Sequence, residues 1–176
     1  MAGMTAEQAM FVNGMYIDAV KRESKATRDV IAAVPPNECE YKPDDCSKTA
    51  IELARHIAAA ESRLLSIPIA GSFDPKGPSP LPESAKTPAE IAAWYEQSTV
   101  DTLSKLSKLT PEQLTKIVDF RGLFQMPAVM YLQFALHHSI HHRGQLSAYL
   151  RAMGGKVPAI YGESYDSAAA KKAAGG

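Results

Sequence analysis

His137-His138-Ser139-Ile140-His141-His142-Arg143-Gly144-Gln145-Leu146-Ser147-Ala148-Tyr149-Leu150-Arg151 decides how this chain is read, because it holds four of the five histidines. His138 and His142 are four residues apart, as are His137 and His141. On an α-helix that spacing stacks two imidazoles one turn apart on the same face. A helix chelates a divalent metal with two nitrogens in this way. A third ligand from elsewhere in the chain would make a site with an open position. With His138 set at zero, Tyr131, Ala135, His142, Gln145 and Tyr149 all fall within about 60° of it on a helical wheel. His141 lies about 60° to one side and His137 about 100°. His138 and His142 therefore share the centre of a stripe with Gln145 and Tyr149, and His137/His141 form a less central alternative. Leu132, Leu136, Ile140 and Leu150 occupy the opposite face. A helix apolar on both sides is buried on both sides or meets a partner subunit.

Outward from this helix, helical periodicity and capping signals dominate. A first helix is expected from Thr5, its N-cap, to Val34, stopped by Pro35-Pro36. Its apolar stripe reads Phe11, Val12, Met15, Ala19, Ala26, Val30 and Ala33. After a turn-rich loop at 35–46, a second helix is expected from an N-cap at Ser47 to Ile67, with Leu53, Ile57, Ala60, Leu64 and Ile67 inward. Residues 68–86 carry five prolines and read as a long crossover. Thr87-Pro88-Ala89-Glu90 opens a third helix with a capping box and proline at N1, running to Leu109. Thr110-Pro111-Glu112-Gln113 repeats that signal for a short helical turn. Residues 117–126 read as either extended or irregular. The fourth helix runs from Pro127 to Gly154-Gly155, a good stop. The tail SAAAKKAAGG is expected to fray, with residues 164–176 flexible. No strand alternation of useful length and no repeat is visible. The pattern predicts a single domain over residues 1–176, all-α, a four-helix bundle with long crossover connections.

The bulk properties narrow the function. A chain of 176 residues with 45% hydrophobic and 22% charged content is an ordinary globular composition. Lys plus Arg and Asp plus Glu both total 19, so a formal charge of zero gives nucleic-acid binding no electrostatic support. No apolar run approaches the ~20 residues of a membrane span. The start MAGMTAEQAM has neither the basic nor the apolar region of a secretory signal, so a cytoplasmic location is expected. Cys39 and Cys46 then read as free thiols.

The fifth histidine, His56, sits at the edge of the apolar stripe of the second helix. Glu52, one turn earlier, is positioned to accept a hydrogen bond from its free ring nitrogen, a common arrangement behind a metal-bound imidazole. In a bundle His56 can face the fourth helix, giving with His138 and His142 three neutral nitrogen donors. The block HHSIHHRGQLSAYLRAMGG, the later VPAIYG and the isolated helix-two histidine resemble the DinB family of bacterial four-helix proteins, which includes thiol-dependent S-transferases and isomerases. The resemblance covers most of the chain in helix order, with the fourth-helix block its specific part. It implies an up-down-down-up bundle, often dimeric, and a divalent metal, zinc or nickel, on His56, His138 and His142.

Around those ligands, His141 is a group for their outer shell or for substrate. Gln145 and Tyr149 either orient water or substrate, or serve a backbone group and the core. Arg143 and Arg151, off the stripe, read as structural pairs or exposed groups. A zinc-protease helix reads HExxH, and here Ser139 replaces that glutamate. Glu52 and Glu61 are the helix-two carboxylates that could act as a base. The segment VPAIYG is expected to pack over a bundle end. The residues alone leave the reaction open, and the family resemblance implies a metal-dependent transfer of a low-molecular-weight thiol to a small-molecule substrate. Hydrolysis of a small substrate, or a non-enzymatic metal-binding or stress-related role with a degenerate site, are the alternatives.

Overall fold

The computed structural model describes residues 3–175. Its elements are α1 (Ala6–Ala32), a 3-10 turn at Pro36–Glu38, α2 (Ala50–Leu65), α3 (Ile67–Ala70), α4 (Pro88–Leu106), α5 (Pro111–Thr115), the strands β1 (Ile117–Phe120) and β2 (Phe124–Pro127), a second 3-10 turn at Ala128–Met130, α6 (Tyr131–Ala152) and α7 (Tyr165–Ala173). The fold is all-α apart from the small hairpin.

Reciprocal capping boxes set the helix starts. Thr5 with Gln8, Thr87 with Glu90 and Thr110 with Gln113 each satisfy two otherwise orphaned N–H groups. The expected cap at Ser47 is corrected to Thr49, whose box partner is Glu52. Ser47 instead donates its backbone N–H and its hydroxyl to Asp44 in the preceding loop. The tail is also corrected: Tyr165–Ala173 is helical, capped by Ser164 and tied back where Asp166 accepts from Val157 N and pairs with Arg151. α6 ends where Gly154 turns to φ 70° and Gly155 N–H donates back to Leu150 O at 2.8 Å. A Cβ on Gly155 would lie 3.2 Å from that carbonyl and 3.3 Å from Pro35, so a side chain there would need its neighbours to give by a few tenths of an ångström, and the positive φ of Gly154 favours glycine beside it.

Cross-helix pairs define the topology. Asn13 and Arg28 of α1 reach Leu106 and Glu96 of α4, so these two run antiparallel. Thr27 of α1 meets Arg143 of α6, and Pro35 meets Gly155, so these run parallel. α2 packs on α4 and α6, with its start in one core cluster beside Leu150 and its end in the other beside Tyr131. The long helices therefore run up, down, down, up.

Two apolar clusters fill the ends of the bundle. One gathers Val30, Ile31, Leu53, Ile57, Ile91, Leu146 and Leu150; the other gathers Val20, Leu64, Leu65, Leu106, Val129 and Leu132. Between them lies a buried polar layer. Glu61 accepts from Tyr95 Oη at 2.9 Å and from the Ser139 hydroxyl. Arg143, 1% exposed, pairs with Glu23 at 2.7 Å and donates to Thr27 Oγ1 and the Glu23 carbonyl. Tyr161 closes the layer, accepting from Arg143 at 2.7 Å. The strap around it packs Val157 and Ile160 onto the first cluster, so VPAIYG covers that part of the bundle.

Three further expectations are refined. The buried face of α1 is Ala9, Asn13, Val20, Thr27, Val30 and Ile31, while Phe11 is 72% exposed. Hydrophobic periodicity discounts Asn13 and Thr27, yet both are engaged across the bundle: Asn13 Nδ2 donates to Leu106 O, though its Oδ1 is buried without a partner, and Thr27 Oγ1 accepts from Arg143. The ambiguous 117–126 segment is the β1–β2 hairpin, paired Ile117↔Pro127 to Phe120↔Phe124. Arg121 and Gly122 both carry positive φ at its turn, as a type I′ connection requires. On the apolar back of α6, the face that buries itself or meets a partner, Leu132 and Leu150 are buried within the protomer while Leu136 and Ile140 are partly buried.

Two outcomes follow from the polar layer. Removing one partner of a buried ion pair strands the other, so Arg143→Ala should destabilise the fold by about 3–5 kcal/mol in urea unfolding, and Arg143→Met by less. Burial pushes the Glu61 carboxyl up to about 7 from its ordinary 4.5, against the hydrogen bonds from Ser139 and Tyr95. The folded state therefore holds a proton that the unfolded chain has lost, and stability falls as pH rises through that window. Glu61→Gln should flatten this slope in unfolding curves taken from about pH 5 to about pH 8. An unchanged slope would mean that Glu61 is ionised in the fold.

Candidate metal centre

The buried pair on α6 places the histidines. Ser139 and Arg143 are four residues apart and face inward, anchored by Glu61 and Glu23. His138 and His142 each precede one of them, about 100° around the helix, and so face the groove toward α2. The Thr49–Glu52 box fixes the start of α2, and His56 lies two turns in. Antiparallel packing of α2 on α6 brings the three half-buried rings together.

Their Nε2 atoms converge. His56 Nε2 is 3.2 Å from His138 Nε2 and 3.2 Å from His142 Nε2, with ring centroids 4.4–4.9 Å apart. Ring nitrogens at this separation without a shared proton repel lone pair to lone pair, and one N–H on His56 could serve one neighbour well. A cation would satisfy all three. Metal–nitrogen bonds of about 2.0–2.1 Å at a tetrahedral centre set two nitrogens about 3.3 Å apart, close to the spacing seen here. The donor set therefore fits a divalent ion of the zinc or nickel kind.

Electrostatics and hydrogen bonding prepare the rings for this role. Burial, followed by its histidine neighbours, pushes His138 down to about 4. Burial also lowers His56, with His142 and Lys48 adding to the effect. It lowers His142 too, against the hydrogen bond to Gln145. The rings are therefore neutral near pH 7, the form that ligates. His142 Nδ1–H donates to Gln145 Oε1 at 2.7 Å, which fixes the tautomer and leaves the Nε2 lone pair pointing at the other rings. His138 Nδ1 is buried without a hydrogen-bond partner.

The other sequence-derived residues divide clearly. Gln145 is exposed and orients His142, a role that its position three residues on from the ligand could have suggested. Tyr149 is half-buried, sits edge-on to Tyr41 with centroids 5.7 Å apart, and packs on the first cluster. His141 is exposed, its ring centroid 4.8 Å from that of His142, and His137 is also exposed and is not part of the three-histidine group. The expected pairing of Glu52 with His56 is corrected: its carboxylate accepts from Thr49 N–H in the capping box. Glu61 is held behind the ligands in the polar layer rather than at the open side. Arg143 and Arg151 are both structural, paired with Glu23 and Asp166. The residues missed by sequence reasoning are Tyr95 and the inward role of Ser139. The signal was available in the Ser139/Arg143 spacing, which repeats that of the histidines one residue on.

Known proteins share this arrangement of helices. YjoA of Bacillus subtilis, described as an uncharacterized protein, is 29% identical over 130 residues, 73% of this chain and 82% of that protein. YrdA of the same organism, also uncharacterized, is 26% identical over 147 residues, 84% of this chain and 86% of that one. The crystal structure of the DinB-like YjoA matches with a TM-score of 0.67 at 24% identity, covering 85% of this chain and 99% of that chain. A DinB-like protein from Bacillus cereus matches with a TM-score of 0.68 at 25% identity, covering 83% and 95%. The model of the DinB family matches residues 10–173, nearly the whole chain, and the protein belongs to that family.

Proposed function

We propose that His56, His138 and His142 hold a divalent metal, zinc or nickel, and that the protein uses it to transfer a low-molecular-weight thiol to a small electrophilic substrate. The convergence of three Nε2 atoms carries this reading. A divalent ion there would supply Lewis acidity, lowering the pKa of a thiol or water that reaches its open side. Three neutral imidazoles leave the ion's double charge uncompensated, which favours an anionic thiolate as the added ligand. The carboxylates support thiol transfer over hydrolysis. A free carboxylate beside a metal-bound water would favour hydrolysis, whereas Glu52 is used in a helix cap and Glu61 is engaged in the core. His141, exposed beside His142, is the residue best placed to meet substrate.

The reading is of a single-domain cytoplasmic protein, in keeping with free Cys39 and Cys46, and among the described residues no helix is long and apolar enough to cross a membrane. A homodimer would use the apolar back of α6, where Leu136 and Ile140 are only partly buried, or the part of α1 that exposes Met10, Phe11 and Met15.

Two substitutions test the centre by calorimetric titration with zinc and nickel. His142→Ala should abolish tight binding, while His137→Ala should leave most of it; equal losses would contradict the choice of pair. Gln145→Leu, which keeps every ligand but frees the His142 ring, should weaken binding by about 10–100-fold. Thiol transfer itself is checked by incubating metal-loaded protein with a panel of small thiols and an alkylating electrophile. The expected outcome is thioether formation lost in His142→Ala.

A further inference from the structure

A hollow of about 270 Å³ is lined by Phe124, Met126, Met130, Gln133, Phe134 and His137, the last two lying within five residues before the ligand His138 on α6. Its aromatic wall is part of a stack. Phe124 lies on Phe120 with centroids 4.9 Å apart, Phe120 lies on Phe73 at 4.5 Å, and Phe134 stands edge-on to Phe124 at 6.2 Å. The paired hairpin and its tight turn hold Phe124 in place, yet its side chain is still 41% exposed.

The hollow flanks the ligand face of α6: Phe134 lies about 40° around the helix from His138, and His137 about 100° on the same side. Phe134 is one turn before His138, about 6 Å along the helix axis. His137 is one turn before His141, whose ring lies 4.8 Å from that of His142. The lining is apolar and rich in aromatic and thioether groups, with Gln133 and His137 as its polar members. Phenylalanine and methionine surfaces of this kind favour a flat ring, through edge and sulfur contacts. The volume is ample for one ring, since an apolar cavity of about 150 Å³ already holds benzene.

We propose that this hollow is the apolar subsite of the metal centre. It takes an aromatic ring of a small substrate or thiol whose sulfur reaches the three Nε2 atoms about one helical turn away. The inference rests on the metal reading above and adds to it the class of group recognised.

The test uses two probes. In metal-free protein with ¹³C-labelled methionine methyls, 2-phenylethanol should shift the Met126 and Met130 signals and leave those of Met10 and Met15 in place. In cobalt-loaded protein, 2-phenylethanethiol should produce the sulfur-to-cobalt charge-transfer band at about tenfold lower concentration than ethanethiol, a gain of the size expected from burying a ring. Gln133→Trp, which fills the hollow, and Phe124→Ser, which removes its exposed wall, should each abolish the methionine shifts and the preference between thiols. Equal concentrations of the two thiols, or unmoved Met126 and Met130, would overturn the subsite while leaving the metal reading intact. Failure to take up cobalt would contradict the metal reading, and the subsite falls with it even where the methionine shifts persist.

Discussion

The rotation of α6 about its own axis is the constraint on which the site depends, and the buried polar layer sets it. Ser139 and Arg143 can be satisfied only if they face Glu61 on α2 and Glu23 on α1. Once they do, His138 and His142 must face the groove beside them, since each is one residue earlier on the helix. A rotation by one residue would bury two imidazoles and expose a guanidinium and a hydroxyl. Apolar packing alone would tolerate such a slip more readily, because α6 carries leucines on more than one side. The two apolar clusters supply bulk stability at either end. The polar layer between them specifies which face each helix presents.

The same layer explains the distribution of carboxylates. Glu61 is the one acid on α2 that points into the bundle, and it is held by Tyr95 and Ser139 with a pKa raised by burial. The residue at the position of a protease glutamate is Ser139, and it faces inward to that acid rather than outward to substrate. The exposed groups that touch the His142 ring are His141 and Gln145, and neither is a carboxylate. The solved relatives share the fold.

Much of the architecture was legible in the sequence because its signals are local. Capping boxes at Thr5, Thr87 and Thr110, prolines after α1 and glycines after α6 each fix an element boundary without reference to the rest of the chain. The convergence of His56 with His138 and His142 was legible too, because helical spacing restricts the choices and the resemblance to the DinB family selects among them. What could not be read depends on partners distant in sequence. Asn13 and Thr27 look like breaks in an apolar stripe until Leu106 and Arg143 are placed opposite them. Glu52 looks like a partner for His56 until Thr49 claims its carboxylate. The hairpin shows no alternation because only Val118 of β1 is buried, and its order comes from stacked phenylalanines and a turn with Arg121 in a left-handed conformation.

The central claim is that the three imidazoles exist to hold a metal. Elemental mass spectrometry of the purified, untagged protein, beside a His56→Ala variant of unchanged helical content, addresses it most directly. The account predicts close to one zinc or nickel per chain, lost in the variant. No metal in either protein after reconstitution and desalting would contradict it, and would make the histidines a structural cluster.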